Sequence, residues 1–214
     1  SYAWNEEQNE AYKKIAGKTI NVSWTDFMGN DRDVRYRVPN VNQCKECHAA
    51  KDKITPIGPK ARNLNKKFDF KEGEFNQLTY WMNRQIIDDY PMELVSPVDW
   101  TDENENINDR VRSYLDVNCG HCHSPTGNAN STGLYLHLDE TRKIHLGLYK
   151  KPVATGRGSG GLKYSIVPGK PEESILLHRM ISLDPGVMMP ESGRALSHTE
   201  AVEMVREWIM VMED

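Results

Sequence analysis

The chain has 214 residues, a formal net charge of −4, no basic block and 38% hydrophobic residues, with a mean hydropathy of −0.69. That length fits one larger domain or two of about 100 residues each. The charge gives nucleic-acid binding no support, and no apolar run approaches the ~18 residues that a membrane span needs. So polar a chain is either poor in side-chain core or wrapped around a core that it does not encode.

The opening stretch SYAWNEEQNE has neither the basic n-region nor the apolar h-region of a signal peptide. Asn5 is placed to cap a short helix over EEQNEAYKKIAG, with Ala11 and Ile15 on one face and Gly17 as a stop signal. KTINVSW and DVRYRV alternate at period two around the turn-rich TDFMGNDR and read as a β-hairpin, which Pro39 ends shortly before Cys44. PIGPKARNLN is a Pro/Gly-punctuated loop. FNQLTYWMNRQIID reads as a helix with Leu78, Trp81 and Ile86 on one side.

The acidic run SPVDWTDENEN, residues 96–106, is the best domain boundary. Its charge reads as a solvated linker, because it lacks the spacing and glycine hinge of a calcium loop. The division expected is therefore 1–100 and 101–214. The second part opens with INDRVRSYLDVN, where Ile107, Val111, Tyr114 and Leu115 form a helical stripe running into Cys119. GRGSGG (156–161) is too flexible for an element interior. KPEESILLHRMI has Pro171 near a helix start and Ile175, Leu176 and Met180 on one face. In the closing LSHTEAVEMVREWIMVMED, Ser197 and Glu200 form a capping box and Ala201, Val205, Trp208 and Met212 a stripe.

All four cysteines lie in two pentads, Cys44-x-x-Cys47-His48 and Cys119-x-x-Cys122-His123, which leaves none for a disulfide framework. Zinc sites built from two CxxC knuckles space them by about 12–20 residues and need no histidine behind each, so this wide separation lends zinc no support. A thioredoxin-like dithiol belongs at the start of a helix in a βαβ unit. Cys44 follows a hairpin strand, and Cys119 follows a helix. Covalent haem uses every residue: two thiols add to the porphyrin vinyl groups, and the next residue offers its imidazole to the iron. With only 7 histidines in the chain, one behind both CxxC units is hard to ascribe to composition. His121, inside the second spacer, is read as exposed or packed, not as a ligand. Two haems would also supply the missing apolar core.

An electron-transfer haem needs a sixth ligand. For His123 the choice is Met189 in GVMMPESG, favoured over its neighbour Met188 because Pro190 fixes the backbone behind it. Core filling is the plain alternative for both methionines. His/Met ligation raises the reduction potential. For His48 the ligand stays open among Met82, Met92, the histidines His137, His145, His178 and His198, or none. Proximal imidazoles commonly donate to a backbone carbonyl; IGP (57–59) is placed to accept from His48, and SP (124–125) or VPG (167–169) from His123. The GRGSGG loop with Arg157 reads equally as a propionate site or as a solvent loop.

The second half, with its helix entering CGHCH, YSIVPGKPEESILLHRM, MMPESG and VREWI, resembles a bacterial cytochrome c domain. The whole chain is similar to a family of bacterial dihaem c-type cytochromes, through VPNVNQCKECH, PIGPKARNLN and GRGSGGLKYSIVPG. The resemblance implies a mainly α fold of two cytochrome c-like haem domains, the first carrying an added hairpin where a helix would be expected. It implies proximal His48 and His123 and distal Met189, and a periplasmic or otherwise exported location.

The expected function is a carrier of single electrons between redox protein partners, its two haems c attached through Cys44, Cys47, Cys119 and Cys122, with no separate catalytic constellation. The alternative is a dihaem peroxidase with an open distal face on the first haem. A structural zinc protein is the third class.

Overall fold

Apolar periodicity and burial coincide only in the second half of the chain. The computed structural model describes residues 1–26, 28–50, 53–57 and 60–213. Among the described residues, the buried hydrophobic side chains before position 100 are Ala3 and Leu78. Every other member of the core lies between Val111 and Ile209.

The first half is a series of antiparallel hairpins. Strands β1 (Tyr2–Trp4) and β2 (Ala11–Lys13) pair Tyr2 with Lys13 and Trp4 with Ala11, so the expected N-terminal helix is not formed. Asn5, whose side chain would have capped it, instead accepts from the backbone of Asn9 and Glu10 and closes the connecting loop. The would-be helix offered only Ala11 and Ile15 as an apolar face, and Ile15 is 66% exposed. A short helix without a buried face does not hold in water.

Strands β3 (Lys18–Thr25) and β4 (Asp31–Val38) form the expected hairpin in unbroken register from Lys18↔Val38 to Thr25↔Asp31. Helix α1 (Val41–His48) follows at once, started by a reciprocal capping box between Asn40 and Gln43. Next come β5 (Ala49–Ala50) with β6 (Lys53–Ile54), α2 (Ala61–Leu64), and β7 (Lys67–Phe70) with β8 (Gly73–Asn76). Helix α3 (Gln77–Asn83) is capped by Asn76; it buries Leu78 but ends before Ile86, which stands exposed.

The second half is helical. Helix α4 (Ile107–Asn118) buries the expected stripe of Val111, Tyr114 and Leu115. After α5 (Lys143–Leu146) come α6 (Ile175–Ile181) and α7 (Thr199–Met210). Helix α7 packs on both α4 and α6, burying Ala201, Val205 and Trp208 as expected and Val202, Met204 and Ile209 besides. In α6 the fully buried residue is Leu177, whereas Leu176 is only partly buried. The Ser197–Glu200 capping box does not form: the Ser197 hydroxyl donates to the Met180 carbonyl, and α7 starts at His198 without a side-chain cap.

The architecture is thus mixed, with seven α-helices and four two-stranded hairpins among the described residues, where a mainly α chain was expected. The acidic stretch behaves as two pieces. Residues 101–106 are solvent-exposed, but Trp100 packs edge-on against Tyr114 and His198 at the rim of the core. No helix of the described residues is long and apolar enough to cross a membrane.

Candidate functional site

The second pentad is built as a continuation of α4. The Cys119 amide closes the helix onto Leu115, and the amides of Cys122 and His123 both turn back to the Cys119 carbonyl at 3.1 and 2.9 Å. These bonds wind residues 119–123 into one helical turn. The turn is held from outside by residues 134–138: Leu136 donates to the His123 carbonyl at 2.8 Å, and Leu138 donates to the fully buried Asp116 at 2.9 Å. Arg112 fixes that segment by donating to the carbonyls of His137, Leu138 and Glu140 at 2.7–3.0 Å.

Two glycines make room. A side chain at Gly120 would lie 2.8 Å from the Asp116 carbonyl oxygen, and one at Gly127 would meet the carbonyls of His121 and Cys122.

Above this turn lies a cavity of about 450 Å³ whose wall contains Cys119, Cys122, His123 and Met189, with Leu134, Leu136, Ile175 and Met180 among its apolar residues. The structure therefore brings together five of the residues singled out from sequence, since Cys47 of the first pentad lines the same cavity. Met189 lines the cavity, while Met188 is buried in the core at 7% exposure. The Met189 amide donates to the Arg179 carbonyl at 3.0 Å, tying the methionine loop to α6.

His123 is half-buried, with a buried and unpartnered Nδ1. Burial pushes its pKa down to about 4, opposed by the Leu134 carbonyl and assisted by the Arg179 charge. The imidazole is therefore neutral, the form that ligates a metal. The backbone partner of the ring is Leu134, in place of the expected Ser124–Pro125 or Val167–Gly169; the Ser124 carbonyl accepts from the Gly127 amide and the Val167 carbonyl from the Lys170 amide. The Cys119 thiol is pushed up to about 12 by burial.

The first pentad sits differently. Cys44, Cys47 and His48 lie in the C-terminal five residues of α1, which buries no residue, and His48 is exposed. Gly58 and Pro59 of the expected carbonyl acceptor IGP lie outside the described residues. Met92 is 79% exposed, and Met82 is half-buried on α3. Of the candidate histidines, His145 Nδ1 is engaged by the Gly133 carbonyl and His198 Nδ1 by the Tyr114 hydroxyl. His178 lies under Gly160, and His137 keeps a buried, unpartnered Nδ1.

Sequence reasoning did not foresee that the two pentads touch. The sulfurs of Cys47 and Cys122 and a ring nitrogen of His121 lie within 4.8 Å of one another, and Cys122 Sγ is 3.7 Å from the Glu46 carbonyl. The Cys122 thiol and His121 beside it hold the Cys47 thiol well below its ordinary pKa; the neighbouring Cys47 and burial raise that of Cys122. Lys60–Asp116 (3.5 Å) and Arg62–Asp139 (2.8 Å) fasten the chain after the first pentad to the second half.

His121 is thus half-buried beside two sulfurs. As donors, two thiols and an imidazole suit a soft metal such as zinc. That arrangement would leave Cys44, His48, Cys119 and His123 without a role.

Arg157 does not reach the cavity. Its loop is a 3-10 turn against α6, and its guanidinium forks onto Asp184 at 3.0 and 3.1 Å. The cations in the cavity wall are Arg179, Lys150 and Lys151. No motif marks these three; only the folding of α6 and the loop after α5 over the pentad brings them together. No family model, no curated protein and no solved structure matches this chain.

Proposed function

We propose that the chain is an exported dihaem c-type cytochrome that carries single electrons between redox protein partners. The observation that supports this most is the shared cavity: Cys119, Cys122, His123 and Met189, distant in sequence, line one apolar space. The residues fit the group. A half-buried imidazole has a buried Nδ1 without a partner, glycine at 127 leaves the pentad turn free of a side chain, and the donors are two thiols, an imidazole and a thioether, the set that holds haem c.

When bound, haem supplies one-electron chemistry at its iron. The roles of the protein follow from position. Cys119 and Cys122 would anchor the group through their sulfurs, and His123 and Met189 would serve as its iron ligands, a donor pair that would favour a high potential. Arg179, Lys150 and Lys151 offer cations to the propionates, and the apolar wall keeps water from the centre. Cys44, Cys47 and His48 would have the same roles toward a second haem, on a helix that leaves both cysteines half-buried and His48 exposed.

The exposed His48 supports a second reading, a dihaem peroxidase in which the first site keeps an open coordination position. Optical and EPR spectra separate the two. The carrier requires two low-spin centres inert to peroxide and carbon monoxide. A high-spin centre that reacts with peroxide would establish the enzyme.

The reading itself is tested by expressing the full chain with haem-attachment machinery. The intact mass should exceed that of the polypeptide by two haems, and C119A/C122A should carry one. A product with no Soret band would overturn it.

A further inference from the structure

The haem reading gives His121 no role, yet His121 is the residue on which the two pentads converge. With Cys47 and Cys122 it forms the one trio of mutually close metal-ligating side chains among the described residues, all three donor atoms lying within 4.8 Å of one another. Cys44, His48, Cys119 and His123 do not belong to it. A tetrahedral ion with bonds of about 2.3 Å to sulfur and about 2.0–2.1 Å to nitrogen spaces such donors roughly 3.5–3.8 Å apart, so each pair needs to draw in by only about 1 Å.

The trio is held from several sides. His121 sits inside the turn that the Cys122 and His123 amides close onto the Cys119 carbonyl at 3.1 and 2.9 Å. Its Nδ1 is buried without a hydrogen-bond partner, a state that a bound ion relieves. Cys47 is kept near it by the Glu46 carbonyl, 3.7 Å from Cys122 Sγ, and by the pairs Lys60–Asp116 and Arg62–Asp139 further along the chain. Cys47, His121 and Cys122 all line the cavity, which gives an ion a way in and leaves room for water at a fourth position.

We propose that, in the chain before any haem is attached, Cys47, Cys122 and His121 bind one thiophilic divalent cation of the zinc type, which clips α1 onto the helical half. The sulfurs bind as thiolates, each thiol proton passing to solvent, so two negative charges balance the ion, and the imidazole adds a neutral donor. The fold has a use for the clip. Helix α1 buries no residue, and the buried hydrophobic residues described before position 100 are Ala3 and Leu78. A metal bond between the halves contributes stability that so small a core does not. The site goes beyond the haem reading and does not rest on it; the same two sulfurs cannot serve both occupants at once.

The test uses the full chain expressed without haem-attachment machinery, kept reduced, stripped of metal and titrated with Zn²⁺ against a chromophoric chelator. One equivalent should bind, and Co²⁺ in its place should show thiolate charge-transfer bands. C47S, C122S and H121A should each weaken binding by at least the ~10–100-fold that loss of a merely supporting contact costs. C44S/C119S should bind as tightly as the parent, which separates this site from one built inside either pentad. Two equivalents in the parent, undiminished binding in C47S, or loss of binding in C44S/C119S would overturn the proposal.

A second measurement needs no variant to fold. In the parent chain with one equivalent of Zn²⁺, alkylation mapped by mass spectrometry should slow several-fold at Cys47 and Cys122 and leave Cys44 as reactive as before. Protection of Cys44 together with Cys47, or of neither Cys47 nor Cys122, would overturn the site. Haem content of the chain made with attachment machinery is read separately, so failure of either reading leaves the other standing.

Discussion

Gly127 is the position where a single methyl group should damage the site most. A Cβ built there would fall on the Cys122 carbonyl oxygen, lie 2.6 Å from the His121 carbonyl oxygen and 2.7 Å from the Cys122 carbonyl carbon. All three atoms are backbone, so no side chain can rotate away. The obstructed carbonyl is the one that receives the amides of Ser124 and Ala129 at 3.1 Å, bonds that shape the turn carrying His123. Overpacking of this kind costs about 1–3 kcal/mol, and the gain from a stiffer unfolded chain offsets about 0.4–1 kcal/mol.

Gly127→Ala should therefore lose about 1–2 kcal/mol in urea denaturation of the haem-free chain, a drop in Tm of about 2–8 °C for a protein of this size. Haem content at the second site should fall with it, while the first site keeps its haem. A variant as stable as the parent and with full haem at the second site would refute the packing argument.

The helical half should respond to loss of core volume. Leu177→Ala removes a side chain with no exposure and should cost about 2–5 kcal/mol by denaturant titration, whereas the exposed Ile86→Ala should shift the midpoint little. Met188→Ala and Met189→Ala should separate structure from ligation. The first costs about 2 kcal/mol or more of stability and keeps a His/Met optical spectrum; the second keeps most stability but loses that spectrum and lowers the potential.

Glu140 accepts from the Thr141 and Arg142 amides and from the Arg142 guanidinium, bonds that hold its carboxyl down at about 2 from 4.5. A depressed carboxyl stabilises the fold above its unfolded pKa, and that contribution disappears as the pH falls from about 4.5 to about 2. Because the Arg142 side is open to solvent, we expect about 1 kcal/mol. Glu140→Gln should flatten the stability curve over that interval and no other.

How much of this was legible in the sequence depends on whether side-chain pattern or chain pairing decided the structure. The stripes of α4 and α7 were readable because Val111, Leu115, Ala201 and Val205 have no exposed area to speak of, and burial of one face is what imposes a helical period. The N-terminal segment misled for the converse reason. Its helix-forming composition had no face to bury, and Asn5 served a loop in place of a cap. Ser197 was likewise a plausible cap until the Met180 carbonyl, brought near by packing of α6, took its hydroxyl.

At the site, the pentads and Met189 carry their chemistry in residue type and spacing. Arg179 in the cavity wall and the meeting of Cys47 with Cys122 arise from long-range packing, which leaves no local pattern in the chain.

The central claim is that each pentad is a covalent haem anchor. Its most direct test is peptide mapping of the full chain produced with haem-attachment machinery. The account predicts one haem on the peptide bearing Cys44 and Cys47 and one on the peptide bearing Cys119 and Cys122, both resistant to acid extraction. Free thiols on both peptides, or zinc bound in place of haem, would contradict it.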